Sequence, residues 1–332
     1  MKQDFVKMVP LIFIFLILSA SLTHLAEAEK PSLEIRLYTD KPSYLLGNKI
    51  KIYGYLSYNN SVVEDGIANL EIDSPLNDYP ILFRTLSIGS SPSIQEAMEI
   101  TSLFPCAPDG TPTTAFHKGE IAYFNVAVKN NNETTISYYL TLTCIDSAHG
   151  ILDSSYISDS AILPHDITTF LVPFYITDRA PDGLTTVYAN VFTKLPRNGG
   201  TTIAGEKTNT FLILGNTANI VNRRQAQTEI LSDSQFYTDF ALSLYQYPGN
   251  YKIYTSARYT NMTATAQTQI EARVPDVNQD GRINVLDLVQ VASKLGWNNP
   301  SIVIPEDVNR DKRVNVLDLI TVSRYLGWTS PP

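Results

Sequence analysis

Residues that most often announce chemistry are scarce in this chain. Its 332 residues hold four histidines, two cysteines and two tryptophans. His24 falls in a leader-like stretch, and His117, His149 and His165 have no cysteine or histidine partner at metal-ligand spacing. No G-x-S-x-G elbow, H-E-x-x-H helix or phosphate-cradling glycine loop occurs. Charge is also sparse, at 17%, and the formal net charge of −8 leaves no basic excess for nucleic acid. Glu34, Glu71, Asp73, Glu99 and Glu120 read as solvent-facing strand residues rather than an acidic pair for glycoside hydrolysis. The expectation is a protein that is not an enzyme.

Long apolar runs are missing beyond the first 28 residues. Within them, Lys2 and Lys7 precede an apolar stretch over 8–20, and Ala26-Glu27-Ala28 offers an A-x-A cleavage site. That pattern predicts a secretory signal over 1–28, too short in its apolar part for a membrane span. The mature chain is expected to be secreted, or held at the cell surface, with no transmembrane segment. In that compartment the pair Cys106 and Cys144 permits one disulfide, or two buried thiols.

What the chain has is alternation. From 31 to 273, β-branched and aromatic residues alternate with polar ones between Gly, Pro, Asn and Asp breaks. The clearest predicted strands are 32–38, 49–57, 121–129, 136–143, 168–176, 185–193, 210–214, 237–244, 250–259 and 263–271. Helical periodicity is essentially absent before residue 284. Tyrosine is abundant at 19. Exposed rings can stack on sugars, so polysaccharide is one partner class, although Tyr also simply favours sheets.

Near the C-terminus one motif is written twice. Asp276, Asn278, Asp280, Asn284 and Asp287 recur 31 residues on as Asp307, Asn309, Asp311, Asn315 and Asp318. Oxygens at loop positions 1, 3, 5, 9 and 12, with a backbone carbonyl at 7, suit a hard cation that takes six to eight oxygens. The carbonyls would come from Arg282 and Arg313. Two Ca²⁺ are therefore the expected cofactors, and they would bring the net charge to about −4. Copy one has Gly281 at the sharp turn, where copy two has Lys312 and a strain of roughly 1 kcal/mol. Pro275 and Pro305 argue against a helix running into either loop. A helix is predicted after each, capped by Asn284 and Asn315 and ended by the glycine of Leu-Gly-Trp.

The paired D-x-N-x-D and N-x-x-D-L pattern ending in L-G resembles the type I dockerin family over about 274–328. The resemblance implies a near-two-fold, calcium-folded module that docks into a cohesin-like domain. The sequence departs from the family pattern at Lys312. It departs again at loop positions 10 and 11, which are Val285-Leu286 and Val316-Leu317 rather than polar. Between Val285 and Ala292 only Asp287 and Gln290 are polar, more apolar than one buried helix face needs. Val285, Leu286, Val289, Val316, Leu317 and Ile320 are accordingly the candidate partner surface. They could instead cover the neighbouring β domain.

The stretch 38–54, Tyr-Thr-Asp-Lys-Pro-Ser-Tyr-Leu-Leu-Gly-Asn-Lys-Ile-Lys-Ile-Tyr-Gly, resembles the opening of macroglobulin-type Ig-like domains. Neither cysteine lies in a thioester context. The Gly119-Glu-Ile-Ala-Tyr-Phe-Asn-Val strand, the Pro164 turn and the 182–190 segment resemble CARDB-like adhesion domains. The expected fold is mainly β: two Ig-like sandwiches plus the small α, calcium-binding module. The first sandwich would comprise 32–90 with 226–272, and the second, 93–215, would be inserted in it. Three domains in series is the alternative. The functional expectation is an extracellular or cell-surface assembly protein. The other readings are an accessory of polysaccharide breakdown and a calcium-stabilised surface protein with no docking partner.

Overall fold

In a computed structural model the described residues are 31–89, 96–178, 180–215, 235–244 and 246–331. The leader over 1–28, and the 226–234 part of the discontinuous domain, lie outside them.

The chain opens with β1 (Leu33–Thr39), β2 (Ser43–Leu45), β3 (Lys49–Tyr58), β4 (Ser61–Val62), β5 (Gly66–Asp73) and β6 (Pro80–Ile88). Next come β7 (Met98–Cys106), β8 (Ala115–His117), β9 (Ile121–Asn130), β10 (Ile136–Asp146) and β11 (Gly150–Ile162). Then follow β12 (Ile167–Tyr175), β13 (Gly183–Phe192), β14 (Lys207–Leu214), β15 (Gln235–Leu242), β16 (Gly249–Tyr259) and β17 (Met262–Arg273). Helices α1 (Val285–Ser293) and α2 (Val316–Ser323) complete the order. The fold is mainly β.

The strands form three sheets. One runs β1-β3-β15-β11-β10-β13-β14-β8, with β4 on β3; a second runs β2-β17-β16-β5-β6, and a third β12-β9-β7. Strands from both ends of the chain meet in the first two. β15 pairs with β3 from Gln235↔Tyr55 to Ala241↔Lys49, and β16 pairs with β5 from Lys252↔Asp73 to Arg258↔Ile67. Between the sheets, Ile50, Ile52, Leu70, Ile72, Phe240 and Ile253 are buried in one core. Strands β7 to β14 enclose another, where Phe124 meets Phe211 edge-on at 5.4 Å among Val126, Leu140 and Val187. The long sheet joins the two halves through a parallel contact of two residue pairs, Gly150↔Ala241 and Ile151↔Leu242.

Polar side chains fill the seam between these halves. Arg197, on a short 3-10 turn after β13, donates from its backbone N–H to Glu71 Oε2 at 2.8 Å and from Nη1 to Asp73 Oδ2 at 2.9 Å. Arg84 Nε donates to Glu206 Oε1 at 3.0 Å and lies over the Tyr188 ring. Glu71 and Asp73 are therefore not solvent-facing: both are 0% exposed, because the 193–202 segment covers that face of β5. The disulfide option is likewise corrected. Cys106 and Cys144 are buried and free. They sit on different sheets, opposite Tyr123 on one and opposite Val187 and Asp153 on the other.

Candidate metal loops and helix surface

The repeated loops fold alike because their Asp and Asn side chains turn back on their own backbones. Asp276 accepts from Asp280 N–H at 3.2 Å and Gly281 N–H at 2.8 Å; Asp307 accepts from Asp311 N–H at 3.1 Å and Lys312 N–H at 2.9 Å. Asn278 and Asn309 accept from Asp280 and Asp311 N–H, and those carboxylates accept from Arg282 and Arg313 N–H at 2.9 Å. The helices then start on reciprocal caps. Asn284 accepts from Leu286 N–H at 2.7 Å while Asp287 Oδ2 accepts from Asn284 N–H at 2.8 Å, and Asn315 and Asp318 repeat the arrangement. Asp287 and Asp318 are wholly buried and also reach back to the loop, accepting from Asn278 and Asn309 N–H.

Left-handed backbone occurs at the same places in both copies. Gln279 and Arg310 have φ of 59° and 58°, and Gly281 and Lys312 have 81° and 71°. The loops then exchange strands. Gly281 and Ile283 carbonyls accept from Ser330 and Gly327 N–H, and Lys312 and Val314 carbonyls accept from Asn299 and Gly296 N–H. Alternation along an extended segment turns the intervening carbonyls, Arg282 and Arg313, the other way. Each loop is thereby bridged to the tail of the other repeat, and Val277, Ile283, Val291 pack with Val308, Val314, Val322 in a shared core.

The donor set fits a calcium ion in kind. All the side-chain donors are oxygens, and a carboxylate that accepts up to three N–H bonds, as Asp287 does, still keeps a lone pair free. In the second loop burial raises the Asp307 pKa, the Lys312 N–H opposes that, and the Asp318 and Asp311 carboxylates add to it, a like-charge crowding that a cation relieves. Among the described residues, however, no three His, Cys, Asp or Glu side chains are gathered at metal-holding separation. The carboxylates are turned to backbone N–H groups instead.

Docking on the β body uses the second repeat. Tyr325 Oη donates to the Leu46 carbonyl at 2.6 Å, Trp328 Nε1 to the Leu244 carbonyl at 2.8 Å, and Arg310 Nη1 to Glu271 at 2.8 Å, while Leu45 joins the helical core. Sequence reasoning marked Trp328 only as the close of a repeat and foresaw none of these contacts, since nothing in the spacing of these residues marks a contact between distant segments. The candidate partner residues lie elsewhere. Val285, Leu286, Val289, Val316, Leu317 and Ile320 remain between 42% and 63% exposed, so the β body does not cover them. Leu295 and Leu326, at equivalent points after the helices, are exposed as well. No helix among the described residues is long and apolar enough to cross a membrane.

No family model matches this chain, and no curated protein matches it. Solved structures do. A CARDB domain from Pyrococcus furiosus in complex with di-metal ions is 11% identical with a TM-score of 0.23, covering 38% of this chain and 95% of that one. A Listeria innocua β-glucosidase is 12% identical with a TM-score of 0.24, covering 36% of this chain and 16% of that one. Bacteroides uniformis β-glucuronidase 2 is 11% identical with a TM-score of 0.26, covering 50% and 26%. The chain thus spans under a third of either glycosidase. The expectation that it is not an enzyme is corrected by the presence of glycosidases among these neighbours, and it is withdrawn. Likenesses this slight carry no activity to the chain.

Proposed function

We propose that this chain is an extracellular, calcium-binding assembly protein, in which a dockerin-like module at 274–328 presents two short helices to a cohesin-like partner. The β part would act as spacer or adhesive unit, built as one Ig-like sandwich nested within another. The observation that carries the reading is the repeat-related pair of bare apolar triads, Val285, Leu286, Val289 and Val316, Leu317, Ile320, beside two oxygen-rich loops. Contiguous exposed apolar surface of this kind marks an interaction site. Asp276, Asn278, Asp280, Asn284, Asp287 and the Arg282 carbonyl would hold one Ca²⁺, and Asp307, Asn309, Asp311, Asn315, Asp318 and the Arg313 carbonyl the other. The ions would neutralise crowded carboxylates and contribute folding free energy.

The test has two arms. Elemental analysis of the full chain after calcium dialysis should find two bound ions, and cohesin domains should be captured in calcium but not in chelator. Leu286→Asp with Leu317→Asp should abolish capture while leaving bound calcium unchanged. A metal-free protein, or capture indifferent to both substitutions, ends this reading. Accessory action on polysaccharide has one observation of its own: Tyr38, Tyr53 and Tyr237 form a cross-strand row on β1, β3 and β15, with Tyr38 and Tyr53 stacked at 5.7 Å. Retention on insoluble polysaccharide that is lost in Tyr38→Ala/Tyr53→Ala would favour it.

A further inference from the structure

Where the module meets the β body, a cleft of about 420 Å³ opens between β2, the end of β17, the second loop and α2. Its walls carry Lys41, Lys49, Arg273 and Arg324 and not one carboxylate, in a chain whose net charge is −8. The cations are incompletely matched. Lys49 pairs with Asp239. Arg273 sees Glu271 only at 3.8 Å, because Arg310 holds that carboxylate at 2.8 Å. Burial, and then the neighbouring Arg310 charge, lower the Arg273 pKa, and the Glu271 and Asp307 carboxylates oppose them. Lys41 and Arg324 are exposed, and neither has a carboxylate partner among the described residues.

We propose that this cleft binds a small oxyanion, a carboxylate or sulfate group carried on an acidic sugar or free in solution. Converging cations in a concave site concentrate anions, and guanidinium groups hold planar oxyanions through paired N–H donors. The volume lies within the range of small-ligand sites. Asn48, Ser43 and Thr321 also line the cleft, and their amide and hydroxyls suit the hydroxyl groups of a sugar ring. Both walls are needed: Lys41 and Arg273 come from the β body, and Arg324 is the residue that caps the C-terminus of α2. Bound anion would therefore fasten the module to the body. This inference rests on the body–module contact and not on the metal reading.

Calorimetric titration of the full chain at low ionic strength tests it, with D-glucuronate, D-glucose and sodium sulfate as probes. Glucuronate should bind, glucose should not, and added sodium chloride should weaken binding. Glucuronate binding much more tightly than sulfate identifies a sugar acid as the source; equal binding identifies the free oxyanion. Lys41→Ala with Arg324→Ala should weaken binding about tenfold or more, whereas Lys294→Ala, outside the cleft, should leave it unchanged. Unchanged melting of the double variant excludes misfolding. Failure of both anions to bind the native chain, or equal affinity in the double variant, overturns the proposal.

Discussion

Lys312 sits at φ 71° where its counterpart Gly281 sits at 81°. An L side chain in that region costs roughly 1 kcal/mol, which glycine avoids. The hydrogen bonds around the two residues are otherwise matched, Gly281 N–H to Asp276 and Lys312 N–H to Asp307. The second loop should therefore hold calcium more weakly than the first. Lys312→Gly should tighten the weaker site by about fivefold, the equivalent of ~1 kcal/mol, and leave the other alone. Calorimetric titration separates the two; equal wild-type affinities would remove the argument. Gln279 and Arg310 share the left-handed conformation, and both copies carry that cost equally. The sequence reading foresaw the conflict at Lys312 because its repeat supplied a glycine for comparison. It missed position 4, where both copies depart together.

At the scale of elements, legibility followed alternation. Strands with one wet face, such as β3 and β17, were read close to their true bounds. β5 was read only through Glu71 and Asp73, as strand residues facing solvent, whereas all eight of its residues are buried and Glu71, Asn69 and Asp73 interrupt any apolar run. β11 was missed for the opposite reason: its serines and aspartates resemble a loop, yet it pairs with β10 along most of its length. Packing between elements was hidden altogether. Gly54 illustrates it, for an added Cβ there would lie 2.0 Å from the Arg36 carbonyl oxygen and 2.4 Å from the Phe236 ring. Phe236 enters that gap from β15, far along the chain. Gly54→Ala should destabilise the protein by about 2 kcal/mol or more through overpacking, read as a lower urea midpoint. An unchanged midpoint would show that the strands can part without cost.

For the molecule as a whole, the seam between the halves holds the pH dependence. Glu71 is raised from an ordinary 4.5 to about 8, first by burial, against the Arg197 backbone N–H, with the Asp73 charge adding to it. Asp73 is raised too, chiefly by burial and despite Arg197. The native state thus keeps a proton that the unfolded chain releases above 4.5, and stability falls as pH rises from there to about 8. Glu71→Gln should flatten that slope in denaturation curves taken across the window. A slope that persists in the variant would place the effect elsewhere. Sequence could not reveal this seam, because Arg197 and Glu71 lie 126 positions apart.

The connectivity has a mechanical corollary. β17 runs straight into the helical module, and β1 packs in the same outer layer pair, while strands β7 to β14 form a detour that leaves after β6 and rejoins at β15. Tension entering at the helices and leaving through β1 would load first the ladders that β1 makes with β3 and β17 makes with β16 and β2. The detour would lie beside the load path, fastened to its host by the short Ile151–Leu242 contact and by the bonds of Arg197 to Glu71 and Asp73 and of Arg84 to Glu206, so stretching the host would strain that buried seam.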